Sequence, residues 1–256
     1  MIDLHAHVLP DLDDGPRTSE ESVAFVRRAE QDGIHALAAV VHANDARFNV
    51  PKDPYDQTFG ELERTLQEHG VRVRLIRAME VRIGPGLVEG LLEGRFLPLA
   101  DTHYVCVELP TNDFPIDTFE IIDHLSLAGF RVALMHPETS RTLRHRADLV
   151  ERLMASGAAG IASAGSVLGQ LGPEVERLSM DLMEAGLVQT VGSGTHSVNR
   201  RPVRLSAVRE LLYRRFGELE AEWMMEEVPR RLLSDLPIEL RARKPLGWQR
   251  WVAGRR

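Results

Sequence analysis

Seven short apolar runs, each followed by a segment of helical character, constrain this 256-residue chain more than any other feature. The runs fall at 2–7, 34–41, 71–81, 103–109, 131–135, 158–164 and 187–191. Their length and content suit strands buried on both faces. The segments between them read as helices at 18–31, 56–68, 85–93, 119–128, 148–155 and 173–185, with two more at 203–216 and 218–233. Thr18 and Glu21 have the spacing of a capping box. Gly33, Gly70, Gly129, Gly157 and Gly186 stand where helices should stop. Such alternation builds βαβ units and a parallel sheet. No glycine-rich phosphate loop follows the first run, so a dinucleotide-binding sheet is unsupported and a closed barrel is expected.

Barrels place their chemistry at the C-terminal ends of the strands. Six of the seven expected ends carry a metal-competent side chain: His5 and His7, His42, Glu80, Glu108, His136 and His196. The sixth strand carries none. His5 and His7 lie two residues apart, so an extended chain turns both imidazoles to one side. Asp13 and Asp14 occupy the first loop, within reach of the same face, and the pattern does not choose between them. Each residue alone has a plain structural explanation; the series together points to a metal centre. There are more candidates than the three ligands of one catalytic zinc, so two or three ions are expected, with Glu80 or Glu108 able to bridge. His35, His69, His103, His124 and His145 fall near strand starts or on helices and read as structural or solvent-facing.

Composition narrows the field. The net charge of −7 argues against nucleic-acid binding through bulk charge. The single cysteine, Cys106, excludes an internal disulfide or a thiolate cluster, and no Cys-x5-Arg phosphate loop surrounds it. It reads as a core residue. No apolar run reaches membrane-spanning length, and the first residues carry acids and histidines rather than a basic, apolar leader. A soluble, cytoplasmic protein is expected. A hydrolase of C–N bonds with a lysine bridging two metals is disfavoured, since the only lysines, Lys52 and Lys244, sit at no strand end.

The residues resemble a known family. Ile2-Asp3-Leu4-His5-Ala6-His7, Asp13-Asp14-Gly15, Val41-His42 and Met79-Glu80-Val81-Arg82-Ile83 carry the likeness, followed by Val107-Glu108-Leu109-Pro110. Ala133-Leu134-Met135-His136-Pro137-Glu138, the Ala164–Gly169 stretch and His196 with Arg201-Pro202 continue it. The chain resembles the PHP (polymerase and histidinol phosphatase) superfamily. Within it, it is most similar to the bacterial manganese-dependent protein-tyrosine phosphatases of capsule and exopolysaccharide operons. The resemblance implies an α/β fold, a distorted (β/α)7 TIM-like barrel over residues 1–235, with an arginine-rich extension at 236–256. It implies metal ligands His5, His7, Asp14, His42, Glu80, Glu108, His136 and His196, with Arg201, Asp14 and His42 serving catalysis. Two or three divalent ions would be held, manganese first, with iron or zinc as alternatives. The substrate would be phosphotyrosine on protein, a bacterial tyrosine autokinase in particular, and relatives form homo-oligomers.

Two positions depart from the family pattern. Gly194 stands where an aspartate ligand is usual. Thr139 stands where a phosphate-binding arginine is usual, leaving Arg141 and Arg144 as nearby substitutes. A degenerate member acting as a binding module is therefore an alternative, as is a small-molecule phosphatase of the histidinol phosphate type. The extension, with Arg241, Arg243, Lys244, Arg250, Arg255 and Arg256 beside Trp248 and Trp251, reads as a packed tail or as a contact for an anionic partner.

Overall fold

The computed structural model describes residues 1–196 and 204–239. The strands are β1 (Ile2–Ala6), β2 (Ala36–Ala39), β3 (His42–Ala43), β4 (Arg74–Arg77), β5 (Glu80–Arg82), β6 (Tyr104–Glu108), β7 (Arg131–Met135), β8 (Ala159–Ser163) and β9 (Val188–Gly192). The helices over the first half are α1 (Ser19–Gln31), α2 (Lys52–Glu68), α3 (Leu87–Leu92), α4 (Thr118–Leu127) and α5 (Ala147–Ala155). They are followed by α6 (Ala164–Val167), α7 (Pro173–Ala185), α8 (Leu205–Phe216), α9 (Glu218–Glu222) and α10 (Val228–Leu233).

All pairings are parallel, in two sheets: β1-β2-β4 and β3-β5-β6-β7-β8-β9. The expected second strand is thus β2 plus β3, and the third is β4 plus β5, each broken at the same level. Tyr55 of α2 explains the break. Its ring is fully buried, and its hydroxyl donates to the Ala39 carbonyl at 2.9 Å and accepts from the Ala78 N–H at 3.0 Å. The phenol bridges two strands where their own ladder stops. Tyr55→Phe strands both backbone groups, so we expect it to lower the unfolding free energy by roughly 2–4 kcal/mol, read by denaturant titration. An unchanged midpoint would remove Tyr55 from this role.

Just past the end of β9 the chain meets β1 through an isolated bridge, without a continuous ladder between the two strands. The Gly194 N–H donates to the His5 carbonyl at 2.8 Å, the His7 N–H donates to the Thr195 carbonyl at 3.0 Å, and Ala6 bridges Thr195. A side chain at Gly192 would meet the Cβ of His5 at 2.6 Å, so only glycine allows this approach. The buried Asp3 carboxylate pins the seam by accepting from the N–H of Ser193 at 2.8 Å and of His5 at 3.0 Å. Burial pushes its pKa up to about 6. The result is a distorted barrel of seven strand positions, as the alternation implies.

Two apolar clusters flank the strands. Leu37, Val105 and Leu134 pack outward with Phe25, Leu62, Leu125 and Leu153 of the helices. Ile2, Leu4, Ala38, Cys106 and Met135 form a smaller inner cluster, joined by Val228 and Leu232 of α10. On β6 the inner face continues from Cys106 to Glu108, and β1 reaches the same face differently. One extra residue on β1 shifts its register between Asp3 and Ala6. Ile2 and Leu4 face the inner cluster, whereas His5, inside the bulge, lines the strand-end cleft, and both His5 and the buried His7 turn Nε2 toward Glu80.

Local capping matches the expected boundaries in part. Thr18 accepts from the Glu21 N–H at 3.3 Å, while Glu21 reaches back to the Arg17 N–H at 2.8 Å. Helix α2 starts earlier than position 56, because Pro54 sits in its first turn, where no backbone N–H has an intrahelical partner. The expected helix 218–233 is α9 and α10 joined by a π-turn at Trp223–Glu227. No helix among the described residues is long and apolar enough to cross a membrane.

Candidate metal centre

The site is a cleft of about 360 Å³ at the C-terminal ends of the strands. Glu80, at the start of β5, is its hub. The carboxylate is fully buried, with Oε1 2.8 Å from His136 Nε2 and Oε2 3.2 Å from both His5 Nε2 and His7 Nε2. The His5 and His7 rings stand 5.6 Å apart, and His5 stacks on His136 at 5.3 Å. Glu108, one strand over, lies 3.8 Å from His136 and from His42 Nδ1. Across the cleft, Asp14 accepts from His196 Nδ1 at 2.8 Å and lies 3.5 Å from His42 Nε2.

The two adjacent aspartates divide the work. Asp13 receives the His7 Nδ1–H at 2.7 Å, the Gly15 N–H at 3.0 Å and the His42 N–H at 3.1 Å. It orients His7 and leaves Nε2 facing the hub. Asp14 is the exposed one, aimed at His42 and His196.

Three groups of side chains bring ligand atoms close enough to hold an ion: His7, Asp14, His42 and His196; His5, His7 and Glu80; and Glu80, Glu108 and His136. The eight residues expected as ligands all appear in these groups. The donor chemistry fits a divalent cation, because imidazole nitrogen and carboxylate oxygen supply every ligand. Buried polar atoms support the fit: His5 Nδ1 and His42 Nδ1 have no hydrogen-bond partner.

Charge balance gives the same reading. Burial alone would discharge His7, yet Asp13 and Glu80 outweigh it and lift its pKa to about 10. Burial also works against a charged His136, and Glu80 and Glu108 lift it to about 9. His5 stays neutral, since burial prevails over Glu80 and lowers it to about 4. Burial opposes the Glu80 charge, but His5 and His136 hold its pKa well below the usual carboxylate range. Burial and the neighbouring Glu80 raise Glu108. The negative charge that lifts His7 and His136 is charge that a metal ion would use in place of protons.

His136 itself is held in left-handed backbone, φ 30°, with its N–H donated to the Ile161 carbonyl at 2.7 Å. A non-glycine residue there stores strain, here at a side chain that meets the hub. The next turn ends in Thr139, whose hydroxyl lies 3.2 Å from His136 Nδ1. Neither substitute arginine lines the cleft: Arg144 pairs with Glu174 at 3.1 Å, and Arg141 is exposed outside it. Arg201 and Pro202 lie outside the described residues, as does the extension from residue 240. Cys106 is fully buried, and burial pushes its thiol up to about 12, which suits a core residue and not a nucleophile. The five remaining histidines are exposed.

Sequence reasoning missed Asp45, Arg47, Phe48, Thr111, Ser163 and Leu171 as lining residues of the cleft. Ser163 ends the sixth barrel strand, where no ligand was expected. Its only sequence signal is that position.

A parallel barrel whose strand ends converge imidazoles and carboxylates is the architecture of metal-dependent hydrolases. The sequence matches the capsular polysaccharide synthesis CpsB/CapC family over residues 1–234, and the chain belongs to that family. It is 29% identical over 238 residues to the tyrosine-protein phosphatase YwqE of Bacillus subtilis, covering 93% of each chain. A crystal structure from work on YwqE of B. subtilis and CpsB of Streptococcus pneumoniae, described as unique metal-dependent tyrosine phosphatases, superposes with a TM-score of 0.90. That match has 28% identity and covers 96% of this chain and 99% of the other. The phosphotriesterase homology protein of Escherichia coli shares the fold at 11% identity and a TM-score of 0.59, over 90% of this chain and 97% of its own.

Proposed function

We propose that this chain is a metal-dependent phosphatase that hydrolyses phosphotyrosine on proteins, with a bacterial tyrosine autokinase as its substrate. The observation that carries the reading is the Glu80 hub, shared by two ligand groups within the fold of relatives named as tyrosine phosphatases. A single nitrogen, His7 Nε2, faces the hub, so His7 serves one ion only. Assigning it to His5 and Glu80 leaves Glu80, Glu108 and His136 for a second ion and Asp14, His42 and His196 for a third. Glu80 can bridge because it has two oxygens. Manganese is our first choice, with iron or zinc as alternatives, and the setting is the cytoplasm.

Bound ions would supply Lewis acidity and activate water for attack on phosphorus. The protein does the rest. Asp13 fixes the His7 tautomer, and Arg82 holds Glu108 at 2.9 Å. His196 and His42 outweigh the burial that opposes the Asp14 charge, so Asp14 stays ionised at neutral pH. Arg201, by resemblance, holds phosphoryl oxygens with its planar guanidinium. We place the barrel at 1–235 and treat 236–256 as a separate extension. Metal-stripped protein should hydrolyse p-nitrophenyl phosphate and a phosphotyrosine peptide only after manganese is restored, and His136→Ala should not. Bound manganese without turnover would overturn the reading in favour of a binding module.

Gly194 motivates that second reading, and its surroundings qualify the obvious repair. A Cβ there would lie 2.8 Å from Ser163 Cβ, on backbone at φ +59°. Serine at 163 occupies the room that a side chain at 194 would need. Gly194→Asp alone is therefore expected to destabilise by about 1–3 kcal/mol and not to raise turnover. Gly194→Asp with Ser163→Gly should recover much of the loss, less a share for the Ser163 cap on the Ser166 N–H. Thermal melts and p-nitrophenyl phosphate rates of the two variants beside wild type check this; a faster, fully stable single variant would contradict it.

A further inference from the structure

Two arginines line the cleft among the described residues, Arg47 and Arg82, and their situations are opposite. Arg82 is fully committed. Its Nη2 lies 2.9 Å from both Asp45 Oδ2 and Glu108 Oε2, and Nη1 donates to the Leu109 carbonyl at 3.2 Å. An anion would have to displace carboxylates to reach it. Arg47 has no carboxylate partner among the described residues and is exposed at the cleft. Asp45, two residues away, is already in use: Oδ1 accepts the N–H groups of Arg47 at 2.8 Å and Phe48 at 3.2 Å, while Oδ2 faces Arg82.

The loop that carries Arg47 is tied down. The Asn44 N–H donates to Asn49 Oδ1 at 2.8 Å, and Asn44 Nδ2 donates to the Arg82 carbonyl at 2.9 Å. The guanidinium carbon of Arg47 sits 4.9 Å from the Phe48 ring centre. Phe48 in turn stacks on His42 at 5.8 Å, with the planes 16° apart. Phe48 is thus a platform that links a free cation to a side chain of the metal centre.

We propose that Arg47, seated on Phe48, grips the non-bridging oxygens of the phosphomonoester. A planar guanidinium matches two phosphate oxygens at once. Thr139, which also lines the cleft, offers only a neutral hydroxyl. This assignment rests on the phosphatase reading for its substrate, and its test separates the two.

The test is binding of inorganic phosphate to the manganese-loaded protein by calorimetry, beside KM and kcat for p-nitrophenyl phosphate. Arg47→Ala should weaken phosphate binding and raise KM by about ten- to a hundredfold, with metal content and thermal midpoint unchanged. Arg47→Lys should recover part of the loss, because it keeps the charge and lacks the fork. Phe48→Leu should shift phosphate affinity in the same direction by less. Wild-type phosphate affinity in Arg47→Ala overturns the proposal, as does a fall in kcat alone. Wild-type protein that binds phosphate through Arg47 yet never hydrolyses the ester overturns the phosphatase reading and leaves the anion site standing. Wild-type protein that binds no phosphate overturns both.

Discussion

Glu80→Gln should cut manganese-dependent turnover by at least about a hundredfold and lower the bound metal per chain. Groups that merely orient metal ligands are worth about ten- to a hundredfold, and Glu80 stands at the hub itself. Its two oxygens meet three imidazoles at 2.8, 3.2 and 3.2 Å. Glutamine has the same shape, so the packing around this buried position survives. It lacks the negative charge, and its amide NH2 presents hydrogens where one imidazole needs an acceptor. Glu108→Gln should cost less, because Glu108 belongs to one ligand group where Glu80 belongs to two. Elemental analysis of dialysed protein, beside p-nitrophenyl phosphate rates, checks both. Equal metal content in wild type and Glu80→Gln would show that Glu80 is not the hub of the binding set.

The series of strand ends was legible because glycine and proline mark them and because barrels concentrate polar residues there. His42, Glu80, Glu108 and His136 follow their apolar runs directly, and the structure gathers them. The bulge in β1 was not legible. A one-residue register shift leaves no local mark, yet it decides that His5 and His7 both turn toward Glu80. Tyr55 was equally silent, since helical spacing reveals a buried face but not a hydroxyl meeting Ala39 and Ala78. Asp13 and Asp14 could not be told apart, because adjacent acids in a loop have no periodicity to orient them. Arg47 sits in such a loop as well, and its value lies in having no carboxylate partner among the described residues, which only the tertiary structure reveals. The family resemblance supplied the ligand set and Arg201; it could not supply the Ser163 contact that qualifies Gly194.

Metal-stripped protein should be most stable near pH 6–7, and manganese should stabilise it more at pH 8.5 than at pH 6. The sign follows from the imidazoles. His136 and His7 rise from an ordinary 6.5 to about 9 and about 10 through Glu80 and Asp13, against burial. Their contribution is complete below the unfolded value and is lost as pH climbs through the folded ones. His5 moves the other way, to about 4 through burial, so protonating the unfolded chain costs stability as pH falls from 6.5 toward 4. Glu80, held low, adds a contribution that is present above its unfolded value of 4.5 and lost in acid. Between those limits lies the optimum. Manganese needs the same imidazoles deprotonated, so its binding releases protons and gains strength with pH. At a hundredfold excess over its dissociation constant a ligand adds about 2.7 kcal/mol, which for a chain of this size raises the melting temperature by roughly 5–10 °C. Melting curves at both pH values, with chelator and with manganese, read the effect. A shift equal at the two pH values, or larger at pH 6, would show that His7 and His136 do not exchange protons for metal.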